Sequence, residues 1–236
     1  MISFTKLLKL IEEGEGLHTE FKLKFPEYEK IAKTAISFAN TDGGNIIFGI
    51  ADDKTIVGVD SEKEIEQLFN YVNENYCFPK IDFTIQNIEY KKNQREIVIV
   101  NIPLSPKRPI KIKDNIDKII PTKSQVFIRI QDKSVLASPN MIKYIYLKAN
   151  NIPLKNYKIG KYEKLAFSLL DKNEFLTLQE FKNASKLKIW DAAKILLNLA
   201  RTEILKIIID ENGNEFYTYH PKYSQQENSP ITPDNF

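Results

Sequence analysis

Glu15 and Glu20 lie on either side of Gly16, and Asp52 follows the apolar run Ile46-Ile47-Phe48-Gly49-Ile50. Carboxylates that converge at short range raise each other's pKa unless a cation sits among them. Mg²⁺ or Mn²⁺ meets that need, because these ions take a few carboxylates and complete their shell with water and phosphate oxygens. Such an ion can polarise a scissile phosphate and supply a hydroxide. Glu15, Glu20 and Asp52 are therefore candidate metal ligands and candidate catalytic residues, provided that their carboxylates come within about 4–7 Å of one another. The plainer reading of three acids around one sheet end is solvated surface.

A second set of residues suits phosphates. Residues 103–133 hold Lys107, Arg108, Lys111, Lys113, Lys118, Lys123, Arg129 and Lys133 against Asp114, Asp117 and Asp132, a larger local excess than the +3 of the whole chain. Clustered cations favour phosphate contact, while lysines at strand edges also discourage edge pairing. Further along, Lys188, Asp191, Lys194, Asn198 and Arg201 fall on one stripe of a helical pattern, opposite Ile189, Ala193, Leu196, Leu197 and Ala200. A recognition helix presents a polar, basic face of this kind. Lys22 shares the Glu20 face of its strand and joins these as a candidate nucleic-acid contact. Trp190 and Phe181 read as core residues. His18, His220 and Cys77 are too scattered to form a zinc site.

The elements that must position these residues follow from periodicity. Phe4, Leu7, Leu8 and Ile11 predict a helix over 4–13, ended by Gly14 and Gly16. Residues 17–25 alternate as a strand, with Glu20, Lys22 and Lys24 on one face and Leu17, Thr19, Phe21, Leu23 and Phe25 on the other. A helix over 27–40 then leads through Thr41-Asp42-Gly43-Gly44 into a buried central strand, 46–50. Ser61 and Glu64 form a candidate capping box for a helix to about Tyr76. Strands near 81–90, 95–102 and 125–131 follow, and Ser138 with Pro139 starts a helix that closes a domain of residues 1–150. Residues 151–160 read as a linker. Helices over 162–171, 177–185 and 188–202 and strands over 204–210 and 215–220, joined by the Asn212-Gly213 turn, have the order of a winged helix-turn-helix, residues 161–220. Residues 221–236 read as a disordered tail. The fold class is α+β, a sheet domain followed by a winged helix-turn-helix.

The sequence resembles the AlbA-like domain of the Schlafen family. The residues that carry the resemblance are Glu15, Glu20-Phe21-Lys22, Phe38-Ala39-Asn40-Thr41-Asp42-Gly43-Gly44, Gly49-Ile50-Ala51-Asp52, and Arg129 with Ser134. It spans residues 12–148, and the Phe38–Gly44 stretch is its most specific part. The resemblance implies a nucleic-acid-binding domain and, in nuclease members, a catalytic triad at positions matching Glu15, Glu20 and Asp52. The same motif also occurs in prokaryotic members described as DNA-binding regulators or helicase-related proteins. Vertebrate Schlafen cores resemble two such lobes around RNA; this chain holds one, and a homodimer would restore the pair.

Other classes are narrowed by composition. No run approaches the roughly 18 apolar residues of a membrane helix. Met1–Lys6 lacks the apolar core of a secretory signal, and a lone Cys77 gives no disulfide framework, so a cytoplasmic protein is expected. Gly43-Gly44 is no phosphate loop, since no Gly-Lys-Ser/Thr follows, and no nucleotide cofactor is expected. Three functions stay open: a dimeric DNA-binding regulator, a Mg²⁺- or Mn²⁺-dependent endoribonuclease acting on structured RNA such as tRNA, and a non-catalytic protein-binding adaptor.

Overall fold

The structure is a computed structural model that describes residues 2–90 and 95–224. The chain divides into two compact units, one up to Asn150 and one from Asn151 on, with the hairpin tip Glu211–Gly213 grouped with the first.

The first unit opens with α1 (Phe4–Glu13), whose N-terminus is capped by the Ser3 hydroxyl accepting from Lys6 N–H. Then come β1 (Thr19–Lys22), α2 (Tyr28–Asn40), β2 (Gly44–Phe48), α3 (Glu62–Tyr76), β3 (Cys77–Phe78), β4 (Thr84–Tyr90), β5 (Arg95–Ile102), β6 (Lys111–Ile112), β7 (Phe127–Ile130), β8 (Lys133–Leu136) and α4 (Pro139–Ala149). The main sheet has the order β1-β2-β5-β4, with β1 parallel to β2 and the other pairs antiparallel. Short pairs β3-β6 and β7-β8 stand beside it. Alternation along β2 sends Ile46 and Phe48 to one face and Ile47 to the other. The first face packs on Ile31, Ala35 and Phe38 of α2 and on Ile65, Phe69 and Val72 of α3. The second packs with Phe21, Ile97 and Ile99 on Leu7 and Ile11 of α1. The sheet is thus covered on both faces, which is why β2 reads as a continuous apolar run rather than an alternating one.

Several expectations are corrected. The strand expected over 17–25 is confined to Thr19–Lys22, because Leu17 and Leu23 are exposed and Phe25 leaves the Phe21 face to stack on Phe48. Ser61 caps α3 by accepting from Glu64 N–H, but among the described residues no reciprocal bond runs from Ser61 N–H to the Glu64 side chain, so the capping box is only half formed. Two-residue β3 and β6 and the partner strand β8 went unforeseen, being too short to show a period.

The second unit holds α5 (Lys161–Leu170), α6 (Leu178–Ser185), α7 (Ile189–Arg201), β9 (Leu205–Ile209), β10 (Glu215–Tyr219) and α8 (Pro221–Ser224). A capping box starts α6: Thr177 Oγ1 accepts from Glu180 N–H and Glu180 Oε2 accepts from Thr177 N–H. β9 and β10 pair antiparallel, and Leu176, between α5 and α6, bridges to Tyr217 of β10. Ala166, Phe181, Leu196, Leu199, Leu205, Ile207 and Tyr217 make its core. Residues 221–224, expected in a tail, are helical, and 225–236 lie outside the described residues. Among the described residues no helix is long and apolar enough to cross a membrane.

Candidate functional site

Glu20 lies on the parallel edge strand β1, opposite Ile46, and so points to the α2 side of the sheet. It is 9% exposed, and two cations meet it there. Lys22 donates to its Oε1 at 2.6 Å, and Arg129 donates from Nη2 to its Oε2 at 2.7 Å. Arg129 also donates from Nε to the Gly16 carbonyl at 3.0 Å and from Nη2 to the Thr19 carbonyl at 3.2 Å. Its guanidinium lies over the Phe38 ring, 4.8 Å from the centroid. Glu15 turns back over the strand entrance, where its Oε1 accepts from Phe21 N–H at 2.7 Å and lies 3.9 Å from Lys22 Nζ. A lysine thus sits between the two glutamates.

Asp52 follows β2 in a turn that meets the end of α1, where Lys54 Nζ donates to the Glu12 carbonyl at 2.8 Å. The turn is exposed and closed by Ala51 N–H to Thr55 O, and Asp52 shares no ion pair or hydrogen bond with Glu15, Glu20 or Lys22. Among the described residues no group of three Asp, Glu, His or Cys side chains is arranged to hold a metal ion. Both Glu20 oxygens are taken by fixed cations, so the residues as arranged do not fit Mg²⁺ or Mn²⁺.

The residues of the specific motif have structural work. Asn40 Nδ2 donates to the carbonyls of Ile110 and Phe127, and its Oδ1 accepts from Ile110 N–H at 2.7 Å. Thr41 Oγ1 accepts from Arg129 N–H. Gly43 has φ +75°, and a Cβ there would meet the Ile102 carbonyl at 2.7 Å. A Cβ on Gly44 would meet the Phe38 ring at 2.6 Å. The stretch therefore ties the end of α2 to three other segments.

The candidate phosphate contacts divide. Lys107 is exposed, 3.5 Å from Asp82. Arg108 is half-buried and donates from Nη1 to the Ser105 carbonyl. Lys111 corrects the expectation, being fully buried, bonded to Asp114 at 2.5 Å and to the Ile116 carbonyl, and seated over the Phe78 ring. Lys111 also holds the Asp114 carboxyl below its ordinary range, as its hydrogen-bond partner. Arg129, 3% exposed, is likewise tied inward through Nε and Nη2, although it lines the cleft beside α2. Lys22 is half-buried and committed to Glu20 and to the Phe21 carbonyl. Burial pushes the Cys77 thiol up to about 12.

On α7, Ala192, Ala193, Leu196, Leu197, Leu199 and Ala200 are buried, while Trp190, Asp191 and Lys194 are exposed. Lys186 and Lys188, in the α6–α7 turn, are exposed too, and Lys186 takes a left-handed backbone at φ +57°. Arg201 departs from the stripe, since its Nη2 donates to the Ile152 carbonyl. Trp190 corrects its assignment to the core: it is 69% exposed, whereas Phe181 is fully buried. Its position four residues before Lys194, one turn along the same face, is the sequence signal that could have placed it on the polar stripe.

Known proteins complete the picture. The family described as Schlafen, AlbA_2 matches residues 15–138, just over half of the chain. The chain is similar to the N-terminal domain of a protein described as ATP-dependent DNA helicase RecG-related, from Nitrosomonas europaea, at 19% identity and a TM-score of 0.39, covering 51% of this chain and 87% of that one. It is also similar to the DIP2311 protein from Corynebacterium diphtheriae, at 14% identity and a TM-score of 0.43, covering 86% of this chain and 34% of that one. The chain spans about a third of the length of this second protein. No curated protein matches it. On the family match, which takes in Glu15, the Phe38–Gly44 stretch and Arg129, the chain belongs to the Schlafen AlbA_2 family.

Proposed function

We propose that this chain is a nucleic-acid-binding protein in which an AlbA_2 unit is followed by a winged helix-turn-helix, and that it works as a symmetric dimer in DNA-binding regulation. The observation that carries the reading is α7. One face of this helix is buried against α5, α6 and the hairpin, and the other presents Trp190 and Lys194 with Lys186 and Lys188 at its start. A helix held this way can enter a groove or meet unpaired bases, with lysines on phosphates. The strand-like bridge of Leu176 to Tyr217 supports the winged-helix reading, since it adds a third short strand to the β9-β10 hairpin. The dimer reading rests on the single AlbA-like unit, half of a paired groove.

The metal-dependent endoribonuclease reading, through Glu15, Glu20 and Asp52, has less support, because Lys22 and Arg129 already balance Glu20. Fluorescence anisotropy with single-stranded DNA, duplex DNA and tRNA, each with and without Mn²⁺ and followed by gel analysis for cleavage, separates the readings. Binding that weakens with salt, without cleavage, is the expected result. Mn²⁺-dependent fragments lost in Glu20→Gln would establish the nuclease instead, and absence of binding to all three ligands would favour a protein-binding adaptor.

A further inference from the structure

Between α2 and the β7-β8 pair lies a cleft of about 280 Å³, lined by Lys22, Lys30, Lys33 and Arg129, with Glu20 and Asp132 as its carboxylates. Arg129 is recessed, its side chain 1% exposed. Nε and Nη2 are spent on Gly16, Thr19 and Glu20. Nη1 makes no hydrogen bond among the described residues, and no buried side-chain nitrogen among them is left unsatisfied. Nη1 is therefore the part of the guanidinium that the cleft can reach.

Apart from the Thr34 hydroxyl, the remaining donors are cationic. The Ser37 hydroxyl donates to the Thr34 carbonyl, so Ser134, 3.0 Å away, spends its own proton on Ser37. Lys22 and Arg129 share Glu20 and Lys22 also lies 3.9 Å from Glu15, so the recess is balanced, and the excess of cations in the lining is carried by Lys30 and Lys33 against Asp132. Lys30 and Lys33 stand above the recess, paired with Glu27 at 3.3 Å and Glu29 at 2.8 Å. Those glutamates are open to water, and exposed pairs of this kind are weak enough to rearrange around a stronger anion.

We propose that this cleft binds a terminal phosphate monoester. A monoester carries most of two charges at neutral pH and offers three acceptor oxygens, matching Nη1 below and the lysines above. An internal diester has a sugar on each side and cannot bring an oxygen down to a recessed guanidinium. A strand end enters phosphate first. The space suits one phosphate with its sugar, being at the small end of ligand sites. The monoester belongs either to a nucleic-acid end, which rests on the function proposed above, or to a free nucleotide.

The test uses the full chain and single-stranded oligonucleotides of one sequence carrying a 5′-phosphate, a 3′-phosphate or only hydroxyl ends. A free mononucleotide serves as competitor, and an NMR titration with inorganic phosphate is run alongside. A phosphorylated end should bind about tenfold tighter than hydroxyl ends. Phosphate should shift the Arg129 side-chain signal. Lys30→Ala with Lys33→Ala should abolish the preference, and Lys80→Ala should keep it. Equal binding of all ends with no Arg129 shift overturns the cleft site and leaves nucleic-acid binding standing. A preference that survives the double substitution also overturns it. An Arg129 shift and mononucleotide binding without oligonucleotide binding support the cleft with a free nucleotide as its ligand, and remove only the function proposed above.

Discussion

Arg129 and Glu20 show how one pair of side chains can serve a strand edge and a cleft together. The guanidinium satisfies two carbonyls of the Gly16–Thr19 loop and neutralises a carboxylate that burial would otherwise make costly. Arg129→Ala leaves the Gly16 and Thr19 carbonyls without this donor and Glu20 with Lys22 alone, so it should lower unfolding stability by about 3–5 kcal/mol in denaturant melts. A loss below about 1 kcal/mol would mean that the pair is not structural. Lys111 is the parallel case. Lys111→Met keeps its apolar stem over Phe78, and should leave nucleic-acid affinity and its salt dependence unchanged. A weaker salt slope would restore it as a phosphate contact. Cys77, its thiol pushed up to about 12 by burial, stays protonated at pH 8 and should resist thiol reagents until the chain unfolds. Rapid labelling of the folded protein would contradict that. Sequence could select Arg129, through its spacing to Ser134, but could not show that its charge points inward. Exposure depends on what packs above a residue, and the acid it meets lies far away in the chain.

At the scale of elements, the α2–β2 connection sets the position of the site. Phe38, Asn40, Thr41, Gly43 and Gly44 hold the end of α2, the start of β2, Ile110 and β7 in one arrangement. Gly44→Ala drives a methyl into the buried Phe38 ring, and overpacking of this kind should cost about 1–3 kcal/mol. An unchanged thermal midpoint would show that the ring moves aside freely. The helices were legible because apolar spacing agrees with the caps at Ser61 and Ser138, and in the structure Ser3 and Thr177 cap α1 and α6 as well. The short pairs β3-β6 and β7-β8 were less so, since pairing between distant segments leaves no local period. On α7 the pattern gave the buried stripe well. It failed at Trp190, where an apolar residue was assigned inward by type although its position faces outward.

For the molecule as a whole, charge alone says little: a net +3 is modest, and several of the densest cations are tied inside the fold. What the sequence could supply was the motif and the order of elements. What it could not supply was which lysines remain open. The surface of α7 carries the account, and the chain's single tryptophan sits on it. Titrating the full chain with an oligonucleotide while following tryptophan emission, at several salt concentrations, reads that surface directly. Binding should change the emission of Trp190. Because Lys186, Lys188 and Lys194 would neutralise about three phosphates, log affinity should fall with log salt with a slope of roughly −2 to −3. Replacing Lys188 and Lys194 with Ala should flatten that slope. An emission spectrum unchanged at saturating oligonucleotide, or an affinity indifferent to salt, would contradict nucleic-acid binding through α7.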